Sequence, residues 1–208
     1  ADPVDYVNPF IGTGFHGHTY PGATTPFGMV QLSPDTRAGN WDACAGYHYS
    51  DTTIDGFSHT HLSGTGCADL ADILFHPTTR EIVIHDGECV LQPYFFSHDD
   101  ERASCGYYAV TLDKYGVRAE ATATPRTSAE RYTFPAGKGH ILLNLGEGLT
   151  NESGAAVRRV SATEIEGMKL LGTFCYNPQK VFPVYFVLRV TKTPSSSGYW
   201  KKQRPMTG

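Results

Sequence analysis

The stretch that decides the fold class is Gly106–Phe134, GYYAVTLDKYGVRAEATATPRTSAERYTF. It divides into three runs, Gly106–Leu112, Val117–Thr124 and Thr127–Phe134, in which apolar and polar residues alternate. Because successive side chains of a β-strand point to opposite faces, this period of two indicates half-buried strands. Asp113–Gly116, between the first two runs, has the composition of a hairpin turn, with a glycine where a positive φ is needed.

The rest of the chain carries the same signal in shorter runs. Pro183 lacks a backbone N–H, so the strand that contains it is expected to start at a sheet edge or a bulge. Hairpins are expected around Thr78–Thr79 and Glu166–Gly167. About ten short strands and no convincing amphipathic helix predict a mainly β protein, an antiparallel β-sandwich with long N-terminal loops. The further predicted strands are Gly28–Leu32, Ile73–Pro77, Arg80–His85, Phe95–His98, His140–Leu145, Val157–Ile165, Lys169–Tyr176 and Val181–Val190.

Charge and hydropathy exclude several classes of protein. The chain has 208 residues, and its 17 Lys+Arg against 21 Asp+Glu give a formal net charge of −4. Proteins that bind nucleic acid or anionic membrane surfaces normally carry a surplus of basic residues, so neither partner is expected. No apolar run approaches the roughly 18 residues of a membrane-spanning helix. The start of the chain also lacks a signal-like sequence, as a mature or trimmed end would.

The cysteines do not form a motif. None of the five stands in a CxxC pair, so neither a zinc ribbon nor a thioredoxin motif is present. An odd number leaves at least one thiol unpaired in a monomer, and small buried thiols are the expected state. The sequence is also compatible with one disulfide, whose two cysteines the spacing does not identify. The five are Cys44, Cys67, Cys89, Cys105 and Cys175.

Two HxH pairs, His16-Gly17-His18 and His59-Thr60-His61, raise the possibility of a metal centre. On a strand, residues two apart share a face, so each pair offers two imidazoles to one zinc or iron ion. Asp42, Asp69 or Asp72 can complete such a set. The alternative is that the histidines are hydrogen-bonding side chains of polar loops. For Asp69 and Asp72 the alternatives are paired carboxylates for acid–base chemistry or turn and cap residues before a strand.

The segment around Trp41 has the chemistry of a sugar-binding surface. Trp41 and Asp42 stand in a stretch rich in glycine and tyrosine. An indole stacks on the apolar face of a sugar ring, while carboxylate and backbone groups bond its hydroxyls. The alternative is a tryptophan of the protein core, since tryptophan is usually largely buried.

Several long motifs in this order resemble the N-terminal domain of the glycoside hydrolase family 92 α-mannosidases. The matches are strong over about the first 80 residues and looser, but in register, to about residue 190. A series of long motifs is far more specific than one short pattern. The motifs are YVNPFIGT (6–13), HTYPGA (18–23), PFGMVQLSPD (26–35), GYHYSD (46–51) and GFSHTHLSGTGC (56–67).

The resemblance implies a two-domain enzyme, with an N-terminal β-sandwich docked on a C-terminal (α/α)6 domain. Such enzymes are exo-acting, inverting and calcium-dependent, release mannose from N-glycans or mannans, and are exported to the periplasm, the cell surface or the medium of bacteria. The catalytic acid, the catalytic base and the calcium ligands belong to the C-terminal domain. Residues 1–190 would then be the sandwich, and residues 191–208 a loop or the start of its remaining strands.

By this resemblance the chain supplies one wall of the mannose pocket and a scaffold. It is expected to be inactive alone, to carry no catalytic residue and no calcium, and to expose apolar surface meant for the missing part. An α-1,2 linkage is the expected substrate. A stand-alone carbohydrate-binding module is the alternative. The residues expected to contact substrate or to shape the loops that do so are His18, Trp41, Asp42, Cys44, His59, His61 and Gly64.

Overall fold

The fold is given by a computed structural model, which describes residues 2–36, 40–85, 88–89, 91–112, 116–149, 154–172 and 181–200. Within these ranges the regular elements are short strands and three single-turn 3₁₀ helices. The 3₁₀ helices are Pro3–Tyr6, Trp41–Ala43 and His98–Asp100. The first eight strands are β1 Ala23–Thr24, β2 Gln31–Asp35, β3 Thr53–Ile54, β4 Gly56–Ser58, β5 Leu74–Thr78, β6 Ile84–His85, β7 Glu88–Cys89 and β8 Tyr94–Phe95. The other eight are β9 Arg102–Ser104, β10 Tyr107–Leu112, β11 Val117–Ala123, β12 Ser128–Thr133, β13 His140–Asn144, β14 Gly154–Arg159, β15 Glu164–Leu171 and β16 Phe182–Arg189.

The predicted mainly β, antiparallel fold is confirmed. The larger sheets have the strand orders β1-β2-β4-β5-β13, β12-β11-β10-β9 and β14-β15-β16, and β3-β8 and β6-β7 form two small ribbons. The first two sheets contribute to one apolar cluster. Alternate side chains of β10 and β11 point into it, namely Tyr108, Val110, Leu112, Val117 and Ala119. The β14-β15-β16 sheet contributes no residue to that cluster.

The sequence predicts β10 to β13 and β16 almost residue for residue. Leu112 pairs with Val117, and Gly116 has the expected positive φ of 61°. The remaining turn residues, 113–115, lie outside the described part of the chain. The proline-containing strand β16 is an edge strand, as expected, with Pro183 opposite Leu170 of β15.

Two predicted hairpins are wrong. The strand that ends at Thr78 pairs with β4 and β13 instead of with the segment that follows it. That following segment forms only Ile84–His85, which pairs with β7. The second error places a turn at Glu166–Gly167, which is the middle of β15. The turn instead lies between Arg159 and Glu164, because β14 ends and β15 begins there.

Gly167 is a strand residue because its neighbours leave no room for a side chain. A Cβ there would lie 2.6 Å from the Phe186 ring of β16 and 2.7 Å from the Ala156 carbonyl oxygen of β14. The glycine therefore accommodates an aromatic ring from the adjacent strand, and a local turn signal does not distinguish this case from a turn.

A buried ion pair links the β14-β15-β16 sheet to the main body. Lys169 Nζ lies 2.6 Å from Asp72 Oδ1, and its ammonium also donates to the Glu147 carbonyl. Both partners are almost fully buried, at 0 % and 4 % side-chain exposure. Removing one partner of such a pair leaves an unpaired charge buried in the protein, which lowers the free energy of unfolding by about 3–5 kcal/mol.

Most described cysteines are thiols, as expected, but of the three free thiols only Cys44 is buried, whereas Cys89 is partly buried and Cys105 is exposed. Cys44, Cys89 and Cys105 are free, whereas Cys67 is disulfide-bonded. Cys175 lies outside the described residues. No helix in the described part of the chain is long and apolar enough to cross a membrane.

Candidate functional site

Trp41 lies on the surface, so the alternative of a core tryptophan is excluded. It begins a 3₁₀ helix capped by Asn40, whose side chain accepts a hydrogen bond from the Asp42 N–H. The residue is 57 % exposed. Its indole Nε1 donates to the Gly66 carbonyl over 2.9 Å, which fixes the ring while leaving part of it open to solvent.

Two rings and a carboxylate extend this exposed surface. The His16 ring lies 5.1 Å from the Trp41 ring and 4.0 Å from the ring of Phe15, which is 80 % exposed. His16 Nδ1 lies 2.5 Å from Asp42 Oδ1, and both side chains remain partly exposed. We call Phe15, His16, Trp41 and Asp42 the Trp41 surface.

His18 lies against this surface and is buried. Its ring meets the Trp41 ring edge to face, with centroids 4.4 Å apart and an interplanar angle of 84°. Its Nε2 is buried and has no hydrogen-bond partner among the described residues. The backbone has a φ of 54°, which is left-handed and rare outside glycine, and the His18 carbonyl accepts from the Gly64 N–H. The His16–His18 segment is therefore a loop, and the strand geometry assumed for a metal pair does not apply.

Cys44 and the loop that follows Gly64 support the Trp41 surface without forming it. The Cys44 thiol is buried and bonds the Trp41 carbonyl, with Sγ 2.5 Å from the oxygen. Burial raises the pKa of this thiol, which keeps it protonated at neutral pH. Gly66 has a φ of 63°, and a Cβ there would lie 3.3 Å from His18 Nδ1.

His59 belongs to a different part of the molecule. Its Nδ1 lies 2.7 Å from the Ile73 carbonyl oxygen, and its Nε2 lies 2.7 Å from Glu130 Oε1 of β12. Because both ring nitrogens face acceptors, the geometry favours the imidazolium. Burial lowers the pKa of His59, but the Glu130 carboxylate and both hydrogen bonds outweigh it, so the pKa is raised.

His61 is also internal. Its side chain is fully buried, with Nδ1 2.7 Å from the Gln31 carbonyl oxygen and Nε2 2.8 Å from Asp35 Oδ1. Ser58 Oγ lies 3.1 Å from the same Nε2. The serine and the aspartate thus share one nitrogen, which is not the serine–histidine–aspartate relay of a hydrolase. His61 joins β2 to the end of β4.

The described residues do not form the metal centre that the two HxH pairs suggest. Within the described ranges, no group of three or more His, Cys, Asp or Glu side chains could hold a metal ion. Asp69 and Asp72 are 2 % and 3 % exposed, and Asp72 is paired with Lys169. Burial raises the pKa of Asp72, against the opposing effect of Lys169. The calcium that the family resemblance implies is expected on the C-terminal domain, and that expectation stays a prediction.

The structure thus brings four of the seven expected residues together, namely His18, Trp41, Asp42 and Gly64, with Cys44 directly beneath. His59 and His61 lie elsewhere. The sequence predicts His16 as a metal ligand or as a hydrogen-bonding side chain of a polar loop, and its contact with Asp42 agrees with the second interpretation. The sequence does not single out Phe15 or Gly66 as part of a sugar-binding surface. The available signal was their position in glycine-rich loops beside the selected residues, and it does not reveal that Trp41 and Gly66 meet across 25 positions.

Comparison with known proteins gives this site a context. The family model described as "Glycosyl hydrolase family 92 N-terminal domain" matches residues 6–208. The chain belongs to glycosyl hydrolase family 92. It is the N-terminal domain of that family, as the motifs predict.

Solved structures agree with this assignment. The family 92 α-mannosidase BT3965 from Bacteroides thetaiotaomicron, in complex with mannoimidazole, is 40 % identical, with a TM-score of 0.79 over 88 % of this chain and 24 % of its own. The inverting mannosidase BT2199 from Bacteroides thetaiotaomicron VPI-5482 is 26 % identical, with a TM-score of 0.68 over 88 % of this chain and 24 % of its own. The chain therefore spans about a quarter of these relatives.

A curated relative comes from a fungus. An uncharacterized secreted glycosidase of Arthroderma benhamiae is 29 % identical over 141 residues, which are 65 % of this chain and 18 % of that protein.

Proposed function

We propose that this chain is the pocket-wall and scaffold domain of an exo-acting, inverting α-mannosidase that removes mannose from N-glycans or mannans, with α-1,2 linkages as the expected substrate. Family membership supports the glycosidase class. The names of the solved relatives, an α-mannosidase studied with mannoimidazole and an inverting mannosidase, support the sugar and the stereochemistry.

The main support for a pocket wall is the indole of Trp41, which is half-exposed and held in place by a hydrogen bond. Its Nε1 is already bonded to Gly66, so the indole offers a sugar its apolar surface instead of a donor. A ring that is held in place before binding loses little conformational freedom on binding. Asp42, steadied by His16, accepts bonds from sugar hydroxyls beside the indole, and the unpaired Nε2 of His18 needs a polar partner from outside this set of residues.

We propose that the residues which cleave the glycosidic bond lie outside this chain. Inverting hydrolysis uses an acid and a base about 6.5–9.5 Å apart, with room for a water molecule. Among the four described residues of the Trp41 surface, Asp42 supplies a single carboxylate, whereas this reaction needs two. The acid, the base and the calcium site are therefore proposed to lie on an (α/α)6 domain that docks over this surface, and this chain binds and orients the sugar.

We further propose an exported protein, in the periplasm, on the cell surface or in the medium. The fungal relative is described as secreted. The disulfide at Cys67 fits this location, since disulfides persist in oxidising compartments.

Substitution of Trp41 in the catalytically complete polypeptide tests the pocket wall. Trp41→Ala should lower kcat/KM for α-mannosides by about tenfold or more, or about 1.4 kcal/mol of transition-state binding. Tyr199→Ala is the matched control, because Tyr199 is an exposed aromatic residue at 89 % and lies outside the Trp41 surface. Equal activity of the two variants would refute the pocket wall.

A stand-alone carbohydrate-binding module is the second candidate, favoured by the preformed aromatic surface. Calorimetry of the 208-residue chain with mannose and mannobiose separates the two functions. A saturable heat that Trp41→Ala abolishes would establish a module. The pocket wall instead predicts weak or no binding and no cleavage of an aryl α-mannoside by this chain, because half of the polar partners are missing.

A further inference from the structure

A buried carboxylate, that of Glu101, is bound to the segment that follows Trp41. Its side chain has no exposed surface. The Tyr47 hydroxyl lies 3.0 Å from Oε2 and 3.1 Å from Oε1, the Tyr108 hydroxyl donates to Oε1 over 2.6 Å, and His98 Nδ1 lies 2.7 Å from Oε2. We call Glu101, Tyr47, Tyr108 and His98 the Glu101 cluster. Such partners must replace water around a buried charge, because an unpaired charge inside a protein is strongly unfavourable.

The two tyrosines of the Glu101 cluster remain donors over the physiological pH range. Both side chains belong to the apolar core cluster. Burial, together with the charge of Glu101, raises the pKa of Tyr47 and that of Tyr108, so both phenols keep their protons. Histidine, in contrast, is the residue type that changes its number of N–H donors near neutral pH. His98 is therefore the variable member of the Glu101 cluster.

The ring of His98 lies between two acceptors. Its Nδ1 faces the Glu101 carboxylate, and its Nε2 lies 2.6 Å from the Tyr49 carbonyl oxygen. The ring also stacks on the Tyr49 ring, with centroids 4.0 Å apart, and its side chain is 29 % exposed. An imidazolium donates from both nitrogens, whereas a neutral imidazole donates from one. Both contacts of His98 are therefore satisfied together only while the ring carries its proton.

The other charged groups around His98 do not replace it as a partner of Glu101. Both neighbouring arginines donate to backbone carbonyls of residues 99–101, and the two neighbouring aspartates are exposed. Within the described ranges, His98 is the side chain that forms an ion pair with the Glu101 carboxylate. The charged neighbours are Asp99 and Asp100 of the same 3₁₀ helix, Arg102 of β9 and Arg118 of β11.

Tyr47 connects the Glu101 cluster to Trp41. The backbone between them is a series of tight turns, with N–H to carbonyl hydrogen bonds from residue 44 to residue 41 and from residue 46 to residue 43. The Cys44 thiol adds a further bond to the Trp41 carbonyl. Residues 41–47 thus form one compact segment, with the exposed indole at one end and the hydroxyl bonded to Glu101 at the other.

The next two residues connect the Glu101 cluster to the other side of the Trp41 surface. The Tyr49 N–H donates to the Thr13 carbonyl over 2.9 Å, and His48 Nε2 lies 3.1 Å from the Phe15 carbonyl oxygen. Phe15 is a residue of the Trp41 surface. The Tyr49 carbonyl that His98 binds therefore belongs to a segment that also holds the loop of Phe15.

We infer that Glu101 and His98 are positioning residues of the Trp41 surface, and that the protonated His98 ring holds residues 47–49 in place through both of its nitrogens. When His98 releases its proton to solvent, one of its two contacts is lost, and residues 41–49 open more often. This role goes beyond the proposed function, because it concerns how the Trp41 surface is held and does not depend on what the surface binds.

Amide hydrogen exchange of the complete polypeptide tests this role, with each rate corrected for the intrinsic exchange rate at that pH. The protection of residues 41–49 should fall by about tenfold or more between about pH 5.5 and about pH 8.5, since a hydrogen bond to a charged group is lost. In His98→Gln the protection should already be low at the lower pH and should lose most of this fall. The matched control is His140→Gln, because His140 of β13 is also half-buried and lies outside the Glu101 cluster.

Two outcomes overturn the role of His98. One is a fall in protection that is absent from the parent or that persists in His98→Gln. The other is an equal fall in the peptide of β11, because the pH would then act on the stability of the whole domain and not on residues 41–49. Hydrogen exchange does not require a bound sugar, so this role can fail while the proposed function survives.

A double-mutant cycle tests whether the two residues act as a unit. Glu101→Gln should remove the same pH-dependent fall as His98→Gln, and the double variant should show no further loss, because both changes remove one ion pair. Effects that add up to their sum would show that Glu101 and His98 act independently and would overturn the coupling. The partly exposed His98 tolerates substitution better than the buried Glu101, so His98→Gln decides the question even when Glu101→Gln does not fold.

Discussion

The two HxH pairs of this protein have the same spacing and opposite roles. His16 and His18 lie in a surface loop beside Trp41. The His16 ring is partly open to solvent, whereas His18 has a buried nitrogen that finds no hydrogen-bond partner in the part of the chain that the structure describes. His59 and His61 follow strand β4, and their ring nitrogens lie within hydrogen-bond distance of acceptors inside the protein. The comparison teaches that a spacing of two residues does not determine the role of a histidine pair. That role depends on the backbone conformation and on the contacts of the segment that contains the pair.

Among the changes that test this comparison, the largest effect is expected from removing His61. In His61→Ala, Asp35 and the Gln31 carbonyl lose a buried partner, so the free energy of unfolding should fall by about 2–4 kcal/mol. The matched variant His16→Ala removes a partly exposed ring and should cost less than about 0.5 kcal/mol. Urea unfolding of the two variants measures both values, and similar losses would mean that the two pairs do not differ.

A smaller effect is expected at the glycines beside Trp41. Gly66→Ala and Gly64→Ala both place a side chain at a positive φ, at a cost of about 1 kcal/mol each. Only the Cβ at position 66 meets His18 and the Trp41 ring, whereas position 64 is open. Gly66→Ala should therefore also change the mobility of the indole.

Fluorescence of Trp41 in a Trp200→Phe background provides the measurement, since the chain has two tryptophans. Acrylamide quenching should increase in Gly66→Ala and stay unchanged in Gly64→Ala. The same quenching in both variants would show that the Gly66 loop does not hold the Trp41 ring.

The smallest effect is a pH dependence at His59. Its pKa is raised in the folded chain, so the stabilisation is complete below the unfolded value of about 6.5 and is lost as the pH rises through the raised pKa. The free energy of unfolding should thus contain a component that decreases with rising pH just above 6.5. His59→Gln should remove that component, and Glu130→Gln should weaken it. An unchanged slope in His59→Gln would assign the dependence to another group.

The sequence was most informative where the relevant interactions are local. The alternation of Gly106–Phe134 predicts three strands because each residue's face depends only on its neighbours two positions away. It failed at Glu166–Gly167, where a glycine that resembles a turn is a strand residue beneath the Phe186 ring. It also failed at β5, whose partner β13 lies more than sixty positions further along the chain. Strand pairing of this kind is not encoded in local pattern.

The amino-acid sequence by itself determined the mainly β class, the hairpins of β10 to β12, the family, and the loops from which a sugar-contacting surface could be built. Only the tertiary structure decided which of those loop residues meet. Trp41 contacts Gly66, which is 25 residues away in the sequence. His16 contacts Asp42 at a separation of 26 residues, and His59 contacts Glu130 at a separation of 71. The physical reason is that side-chain chemistry is carried by each residue, whereas exposure and hydrogen-bond partners are set by distant segments that fold against it.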